Sequence, residues 1–261
     1  RPHGPKPRAL ANCATPREAN LNTHSAPFYH TLHIKYSNSW RFQLIYRRHS
    51  LIIMPNTNHT TRTTHRRQMI YLYAIVCVYL MLPILICIGI IPWNMKFVAL
   101  VVGAVAMYIV MRILDHTHSD IGITRQRTIY SLKTVLPITI ALIIAAGLFL
   151  LLEKPRFSPT EGIGFYVFYI LISCPAQELL FRGILSRMLQ ELRLHRVLEL
   201  GVAAALFGYV HIIYGDMLTV VVMSIVGLFW YRAYQCSSNL IGVTISHVVL
   251  GVMTIALGII D

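Results

Sequence analysis

The sequence contains few charged side chains. Asp, Glu, Lys and Arg make up 13% of its 261 residues, about half the ~25% that is usual in soluble domains. Hydrophobic residues make up 56%, and the mean hydropathy is +0.59. This composition excludes an ordinary soluble globular domain, because too few polar groups are present to cover its surface. We predict an all-α, polytopic integral membrane protein embedded in a lipid bilayer.

Acidic residues are especially scarce near the N-terminus. Residues 1–68 hold eleven Lys or Arg and one acid, Glu18, whereas residues 69–261 hold twelve Lys or Arg and nine acids. We therefore predict a basic, disordered tail over 1–68 and a membrane domain over 69–261. The tail has three interpretations: translated leader before a start at Met54 or Met69, an Arg-rich targeting peptide, or a nucleic-acid-binding arm. No repeated aromatic–basic pattern supports the third, so we predict no nucleic-acid partner.

No pair of cysteines has the C-x-x-C spacing of a zinc site or redox motif, and no disulfide framework is evident. Most of the five cysteines lie within apolar runs, where cysteine usually acts as a small packing residue. They are Cys13, Cys77, Cys87, Cys174 and Cys236.

Seven apolar runs approach or exceed the ~20 residues that cross a bilayer as a helix. Lys and Arg are enriched in every second loop, beginning with Arg66 and Arg67, which predicts a cytosolic N-terminus. Aromatic residues near the run ends, such as Trp230 and Tyr231, are expected to be interfacial anchors. The runs are Ile70–Ile91, Phe97–Leu114, Leu132–Leu152, one starting at Ile163, Leu198–Tyr214, Met217–Tyr234 and Leu240–Ile260.

Four polar residues interrupt these runs: Glu178 and Arg182 in the fourth, His211 in the fifth and His247 in the seventh. A charge at the centre of a membrane helix costs about 2.5–3.5 kcal/mol on insertion scales, and such residues usually mark a functional site. Glu178 and Arg182 are four residues apart and can pair on one helix face. Extending the fourth helix to about Leu189 places Glu178 at a depth between the two histidines.

These residues lie in three motifs that resemble the signatures of the CPBP intramembrane proteases. The motifs are Gln-Glu-Leu-Leu-Phe-Arg-Gly at 177–183, Phe-Gly-Tyr-Val-His at 207–211 and Ser-His-Val-Val-Leu-Gly at 246–251. The resemblance covers about residues 120–258 and includes the Asp-Ile-Gly-Ile-Thr turn at 120–124. The family includes CAAX prenyl protease 2 and the bacteriocin-processing or immunity (ABI) proteins. The resemblance implies an intramembrane endopeptidase that acts on a peptide or protein substrate at the membrane, which is prenylated in one branch of the family.

The same resemblance suggests catalytic roles. Glu178 and His211 would activate the attacking water, and His247 would stabilise the tetrahedral intermediate, with Arg182 paired to Glu178. The sequence departs from the family pattern at Gln177, where the family has a glutamate, and at Gly251, where it has an asparagine. A glutamine cannot take a proton from water, and glycine has no side-chain donor, so both departures predict reduced activity.

Three further points stay open at this stage. His211 and His247 are the candidate ligands if a metal such as zinc is bound, but using Glu178 as a third ligand would leave no base. The main alternative function is a non-catalytic, protease-like membrane protein that binds peptides or helices, as in immunity or assembly. A proton-coupled transporter is a second alternative, although no internal inverted repeat supports it.

The segment Asp115–Asp120, with the sequence Asp-His-Thr-His-Ser-Asp, has the spacing of a metal-binding loop. It lies just outside an apolar run, and such a polar segment is more often a solvated connection than a metal site. We therefore expect a solvated polar loop.

Overall fold

The computed structural model describes residues 57–260, with side chains described from Thr64 onward. Within this range all regular structure is helical, as predicted. The first 56 residues, which include most of the predicted tail and the candidate start at Met54, lie outside the described residues. The predicted tail boundary at residue 68 falls within the first helix, Thr57–Ala74.

We label seven helices α1 to α7 in chain order. Two of them contain π-helical turns and are built from consecutive segments. Helix α1 comprises Thr57–Ala74, the π-helical segment Ile75–Met81 and Leu82–Cys87. Helix α4 comprises Ile163–Phe168, the π-helical Tyr169–Ser173, Cys174–Glu178, the π-helical Leu179–Ile184 and Leu185–Glu191.

The other five helices are more regular. A 3-10 turn at Trp93–Met95 leads into α2, and a 3-10 turn at Val210–Tyr214 follows α5. A short 3-10 turn at Ser119–Ile121 lies in the loop after α2. The bounds of these five helices are Lys96–Ile113 for α2, Thr128–Leu152 for α3, Arg196–Tyr209 for α5, Met217–Ser237 for α6 and Leu240–Ala256 for α7.

Six of these helical stretches are long and apolar enough to cross a bilayer, and α7 is a shorter apolar helix of 17 residues. The prediction of an all-α, multi-pass membrane protein is therefore confirmed. The span that contains α4 is the longest, with 29 residues over Ile163–Glu191. At 1.5 Å per residue it is about 44 Å long, so it must tilt to fit a hydrocarbon core of about 30 Å. Its end at Glu191 agrees with the predicted extension to about Leu189.

Helices α3 and α7 approach closely because a glycine replaces a side chain where they meet. The Ser131 hydroxyl donates to the carbonyl of Asn239 at 3.0 Å and accepts from the backbone N–H of Gly242 at 3.2 Å. Deeper in the same interface, the Thr139 and Ser246 hydroxyls lie 2.7 Å apart. Small residues and hydroxyls of this kind are the usual contacts between helices in a membrane. Lipid tails are as apolar as the side chains, so the hydrophobic effect does not drive the helices together there.

Contacts with neighbouring segments hold the π-helical part of α4 in place. The Tyr79 hydroxyl of α1 donates to the carbonyl of Leu180 at 2.8 Å. Gly183 packs directly on the carbonyl oxygen of Ile121, so that no side chain fits between them. These contacts tie the π-helical segment that follows Glu178 to α1 and to the loop after α2.

The loop that contains His116 is not uniformly solvated, and the expectation of a solvated polar loop is wrong for this residue. The His116 side chain is buried, with Nε2 2.7 Å from the Tyr71 hydroxyl and Nδ1 accepting from Arg187 Nε at 3.2 Å. Burial, and to a lesser degree the positive charge of Arg187, lowers the pKa of His116. The imidazole thus anchors this loop to α1 and α4.

The contact between α3 and α7 leads to the first prediction. Gly242→Ala should lower the free energy of unfolding by about 1–3 kcal/mol, because the new methyl group would overlap Ser131 and overpacking has a cost of this size. Gly147→Ala in α3 is the matched control, since nothing lies within 4 Å of its added methyl group. The measurement is thermal unfolding in detergent, and equal midpoints for the two variants would contradict the prediction.

Candidate active site

A buried ion pair lies at the centre of the described bundle. The Glu178 Oε1 atom is 3.1 Å from Arg182 Nη1, and the two side chains are at most 1% exposed. The predicted i,i+4 pairing on one helix is therefore confirmed. The same Oε1 atom lies 2.7 Å from His247 Nδ1 on α7. The Glu178 carboxylate therefore links α4 to α7 and contacts both the Arg182 guanidinium and the His247 imidazole.

Aromatic rings enclose the guanidinium. Arg182 Cζ lies 3.9 Å from the ring centroid of Phe207 and 5.2 Å from that of Trp230. The negative faces of such rings attract a desolvated cation. Among the described residues, Arg182 Nη2 and Glu178 Oε2 find no hydrogen-bond partner, and the contact of Arg182 Nη1 with Glu178 is an ion pair without hydrogen-bond geometry. The buried guanidinium is therefore stabilised by the ion pair with Glu178 and by contacts with the aromatic rings.

His211 lies in the 3-10 turn that follows α5. Its Nδ1 atom is 2.8 Å from the carbonyl oxygen of Phe207, one turn earlier in the chain. A carbonyl only accepts, so this contact assigns the proton of the neutral imidazole to Nδ1 and leaves a lone pair on Nε2. The Phe207 ring also meets the imidazole edge-on, with centroids 5.1 Å apart, which limits how the ring can rotate.

His247 has a corresponding arrangement on α7. Its Nδ1 atom faces the Glu178 carboxylate, which assigns a proton to Nδ1. The Trp230 ring lies alongside, with centroids 4.7 Å apart, and the Trp230 indole N–H donates to the Ser246 hydroxyl at 2.9 Å. A carboxylate behind one imidazole nitrogen fixes the orientation of the ring and therefore of its other nitrogen.

A cavity of about 370 Å³ reaches this site, and Gln177, His211 and His247 line it. Glu178 and Arg182 do not line it and lie behind its wall. The structure thus brings the five predicted site residues together but divides them into two layers. Gln177, at a position where the sequence departs from the family pattern, is in the layer that lines the cavity, and its amide donates to the Ser173 hydroxyl at 3.1 Å.

The cavity extends toward loops at one end of the bundle, where Arg156 and Glu161 also line it. There Arg156 Nη2 lies 2.7 Å from Asp216 Oδ2. Hydrogen bonds from the Thr219 and Arg156 side chains lower the pKa of Asp216 to about 2, so this carboxylate is charged at neutral pH. The Lys96 ammonium lies 3.6 Å from the centroid of the Trp93 ring. This end of the cavity therefore combines charges of both signs.

Sequence patterns did not identify several residues that complete the site. Trp230 is 2% exposed and contacts His247, so its prediction as an interfacial anchor is wrong. Tyr231 is likewise buried, and its hydroxyl donates to Glu199 at 2.7 Å. Tyr169 lines the cavity and meets His247 edge-on at 6.1 Å. An aromatic residue within an apolar run carries no signal that separates a site wall from a lipid-facing anchor.

The described residues do not provide a three-ligand metal site. Among them, no group of three or more His, Cys, Asp or Glu side chains is arranged to hold a metal ion. Glu178, the nearest carboxylate, already faces Arg182 and His247. The donor set does not fit a zinc ion held by three protein ligands, and the assignment of His211 and His247 as metal ligands stays a prediction.

Part of the chain matches a known protein family. Residues 159–253 match the family described as Rce1-like, type II CAAX prenyl endopeptidase. The matched region runs from just before α4 into α7 and includes all three sequence motifs. No curated protein and no solved structure matches the chain. The match supports the resemblance to the CPBP and CAAX protease family that the motifs indicated.

The ion pair leads to a second prediction. Arg182→Met should lower the free energy of unfolding by about 3–5 kcal/mol, because it leaves the Glu178 charge buried without its cation. The double variant Glu178→Gln/Arg182→Met should regain most of this loss, since it removes both charges. The measurement is a double-mutant cycle of thermal unfolding in detergent. Additive losses in the double variant would show that the two side chains do not depend on each other.

Proposed function

We propose that this multi-pass membrane protein, whose residues 159–253 carry the CAAX protease family signature, is an intramembrane endopeptidase in which histidine activates water. The observation that carries the proposal is the cavity itself. It is lined by two imidazoles from different helices, one of them backed by a buried carboxylate. Its substrate would be a peptide or protein at the membrane, and a prenylated C-terminal peptide is the first class to test.

His211 is the group best arranged to take a proton from water. Its Nδ1 atom is occupied by the Phe207 carbonyl, so Nε2 carries the lone pair of the neutral ring. In the proposed reaction, water attacks the scissile carbonyl carbon while its proton moves to His211 Nε2. The carbonyl π electrons then move onto oxygen, which becomes the oxyanion of the tetrahedral intermediate.

His247 would stabilise that intermediate, as the resemblance implies. With Nδ1–H directed to Glu178, a protonated His247 can donate its Nε2–H to the oxyanion. Collapse of the intermediate re-forms the carbonyl and breaks the C–N bond, and the leaving amine takes the proton held by His211. Glu178 then acts through His247 and is a positioning residue, which differs from the direct share in water activation that the sequence suggested.

Gln177 favours a second candidate, a protease-like protein that binds peptides without cutting them. Its side chain lines the cavity beside both histidines, where a carboxylate could act as a base. A glutamine amide can position water but cannot accept its proton at neutral pH. In this reading the cavity holds a peptide or a helix, and the Glu178–Arg182 pair has a structural role only.

The first test is direct cleavage. The purified protein in lipid vesicles should cut a prenylated C-terminal peptide or a member of a peptide library. His211→Ala should lower the rate by about 10²–10⁴-fold, the usual value of general-base catalysis. Product formation is followed by mass spectrometry. Cleavage that persists in His211→Ala would refute the assignment of this residue as the base.

Exchanging the cavity-lining amide for an acid separates the two candidates. Gln177→Glu should raise the cleavage rate by about tenfold or more, because it adds a carboxylate beside both histidines. Gln190→Glu is the matched control: its amide also donates to the serine four residues earlier, but the residue does not line the cavity.

Three outcomes of this comparison are informative. Cleavage by the natural protein supports the endopeptidase. Cleavage by Gln177→Glu alone identifies the natural protein as a non-catalytic relative. An equal gain in Gln190→Glu would assign the effect to added negative charge and not to the cavity.

A further inference from the structure

Gly251 leaves a space that another side chain fills. An ideal Cβ atom on Gly251 would overlap the hydroxyl oxygen of Tyr169 and would lie 2.7 Å from Tyr169 Cζ and 2.8 Å from Cε1. Contacts under 3.0 Å are essentially never seen for real Cβ atoms. The phenol of Tyr169 therefore occupies the volume that any side chain at position 251 would need, four residues after His247 on α7.

The Tyr169 ring is held firmly in that position. It is buried, with its side chain 8% exposed, and it stacks on Phe165 with ring centroids 5.8 Å apart. It also meets the His247 imidazole edge-on, with centroids 6.1 Å apart. The residue lines the same cavity as Gln177 and both histidines. Its hydroxyl is thus a fixed polar group at the wall of the proposed reaction site.

Among the described residues, the Tyr169 hydroxyl proton has only a weak side-chain acceptor. Its side-chain partner is the thiol of Cys174, and sulfur is a weak acceptor. Of the neutral donors near His247, the Trp230 indole N–H already donates to Ser246, and one of the two N–H groups of the Gln177 amide donates to Ser173. The Arg182 guanidinium lies behind the wall and does not reach the cavity. Because Tyr169 meets the His247 ring and lines the same cavity, its hydroxyl is well placed to donate a hydrogen bond to a negative charge that develops beside His247.

We propose that the Tyr169 hydroxyl is the second donor to the oxyanion, next to His247, and that Gly251 is required because it makes room for this phenol. The inference rests on the proposed endopeptidase function. During attack the carbonyl oxygen gains charge, and the phenol donates a hydrogen bond without losing its proton. A neutral donor of this kind contributes mainly in the transition state, where it is typically worth about 10²–10³-fold in kcat.

Removing the hydroxyl alone tests the catalytic part. Tyr169→Phe should lower kcat by about 10²–10³-fold and leave KM nearly unchanged, because the ring and its packing are retained. Tyr166→Phe is the control, since this residue lies on the same helix but does not line the cavity. Unchanged kcat in Tyr169→Phe, in a preparation that cleaves, would overturn the inference while leaving the endopeptidase proposal intact.

Moving the bulk from position 169 to position 251 tests the claim that Tyr169 requires a glycine at position 251. Gly251→Asn should lower the thermal midpoint, and Tyr169→Ala should lower kcat. The double variant Tyr169→Ala/Gly251→Asn should have a thermal midpoint at least as high as that of Tyr169→Ala alone. Its kcat should be at least tenfold higher than that of Tyr169→Ala, because the asparagine amide then fills the vacated space and supplies a donor. If Gly251→Asn is as stable as the natural protein, the claim that Tyr169 requires a glycine at position 251 is wrong.

A binding measurement tests whether the Tyr169 hydroxyl donates to a tetrahedral oxygen, even in a preparation that does not cleave peptides. A prenylated peptide aldehyde, whose hydrate carries tetrahedral oxygens, should bind the natural protein at least tenfold more tightly than the matching alcohol. Tyr169→Phe should lose most of that preference, and Tyr166→Phe should keep it. Absence of the preference in the natural protein, or its survival in Tyr169→Phe, would overturn the inference. The preference without peptide cleavage would count against the endopeptidase alone.

Discussion

The charged pair Glu178–Arg182 imposes the constraint from which the rest of the site follows. Two charges removed from water are tolerable only if they neutralise each other and the surrounding groups replace part of their hydration. The protein meets this requirement with a 3.1 Å contact within one helix, an imidazole N–H on the carboxylate and aromatic faces on the guanidinium. The groups that satisfy the pair come from α5, α6 and α7. Burying it therefore assembles the helices that also carry both histidines.

Close helix approach makes this assembly possible. Glycine at 183 lets α4 pack on the Ile121 carbonyl, and glycine at 242 brings α7 against Ser131. The π-helical turns on either side of Cys174–Glu178 change the angular position of the residues between them. Such turns are frequent at functional sites because they change which side chains face inward. In this protein Gln177 lines the cavity, and Glu178 is turned behind its wall.

This two-layer arrangement shapes the proposed chemistry. The Glu178 carboxylate orients the His247 imidazole, which lines the cavity, and a backbone contact of His211 leaves the lone pair on its other ring nitrogen. Gln177 and Gly251 then have different meanings. The first leaves an amide where an acid could act, whereas the second provides the space that Tyr169 fills. A site that departs from the family pattern at two positions can thus lack one group and have another in its place.

The sequence by itself determined the membrane class, the number of apolar helices, the i,i+4 ion pair and the two histidines that line the cavity. These properties depend on composition, run length and helical periodicity, which are local. It did not determine that Trp230 and Tyr169 form walls of the site, that His116 is buried, or that Glu178 lies behind the cavity. Only the tertiary structure decided those points, because they depend on which face of each helix meets its neighbour. The face that each helix presents depends on π-helical turns and on glycine contacts between residues far apart in the chain. A periodic sequence pattern does not contain that information.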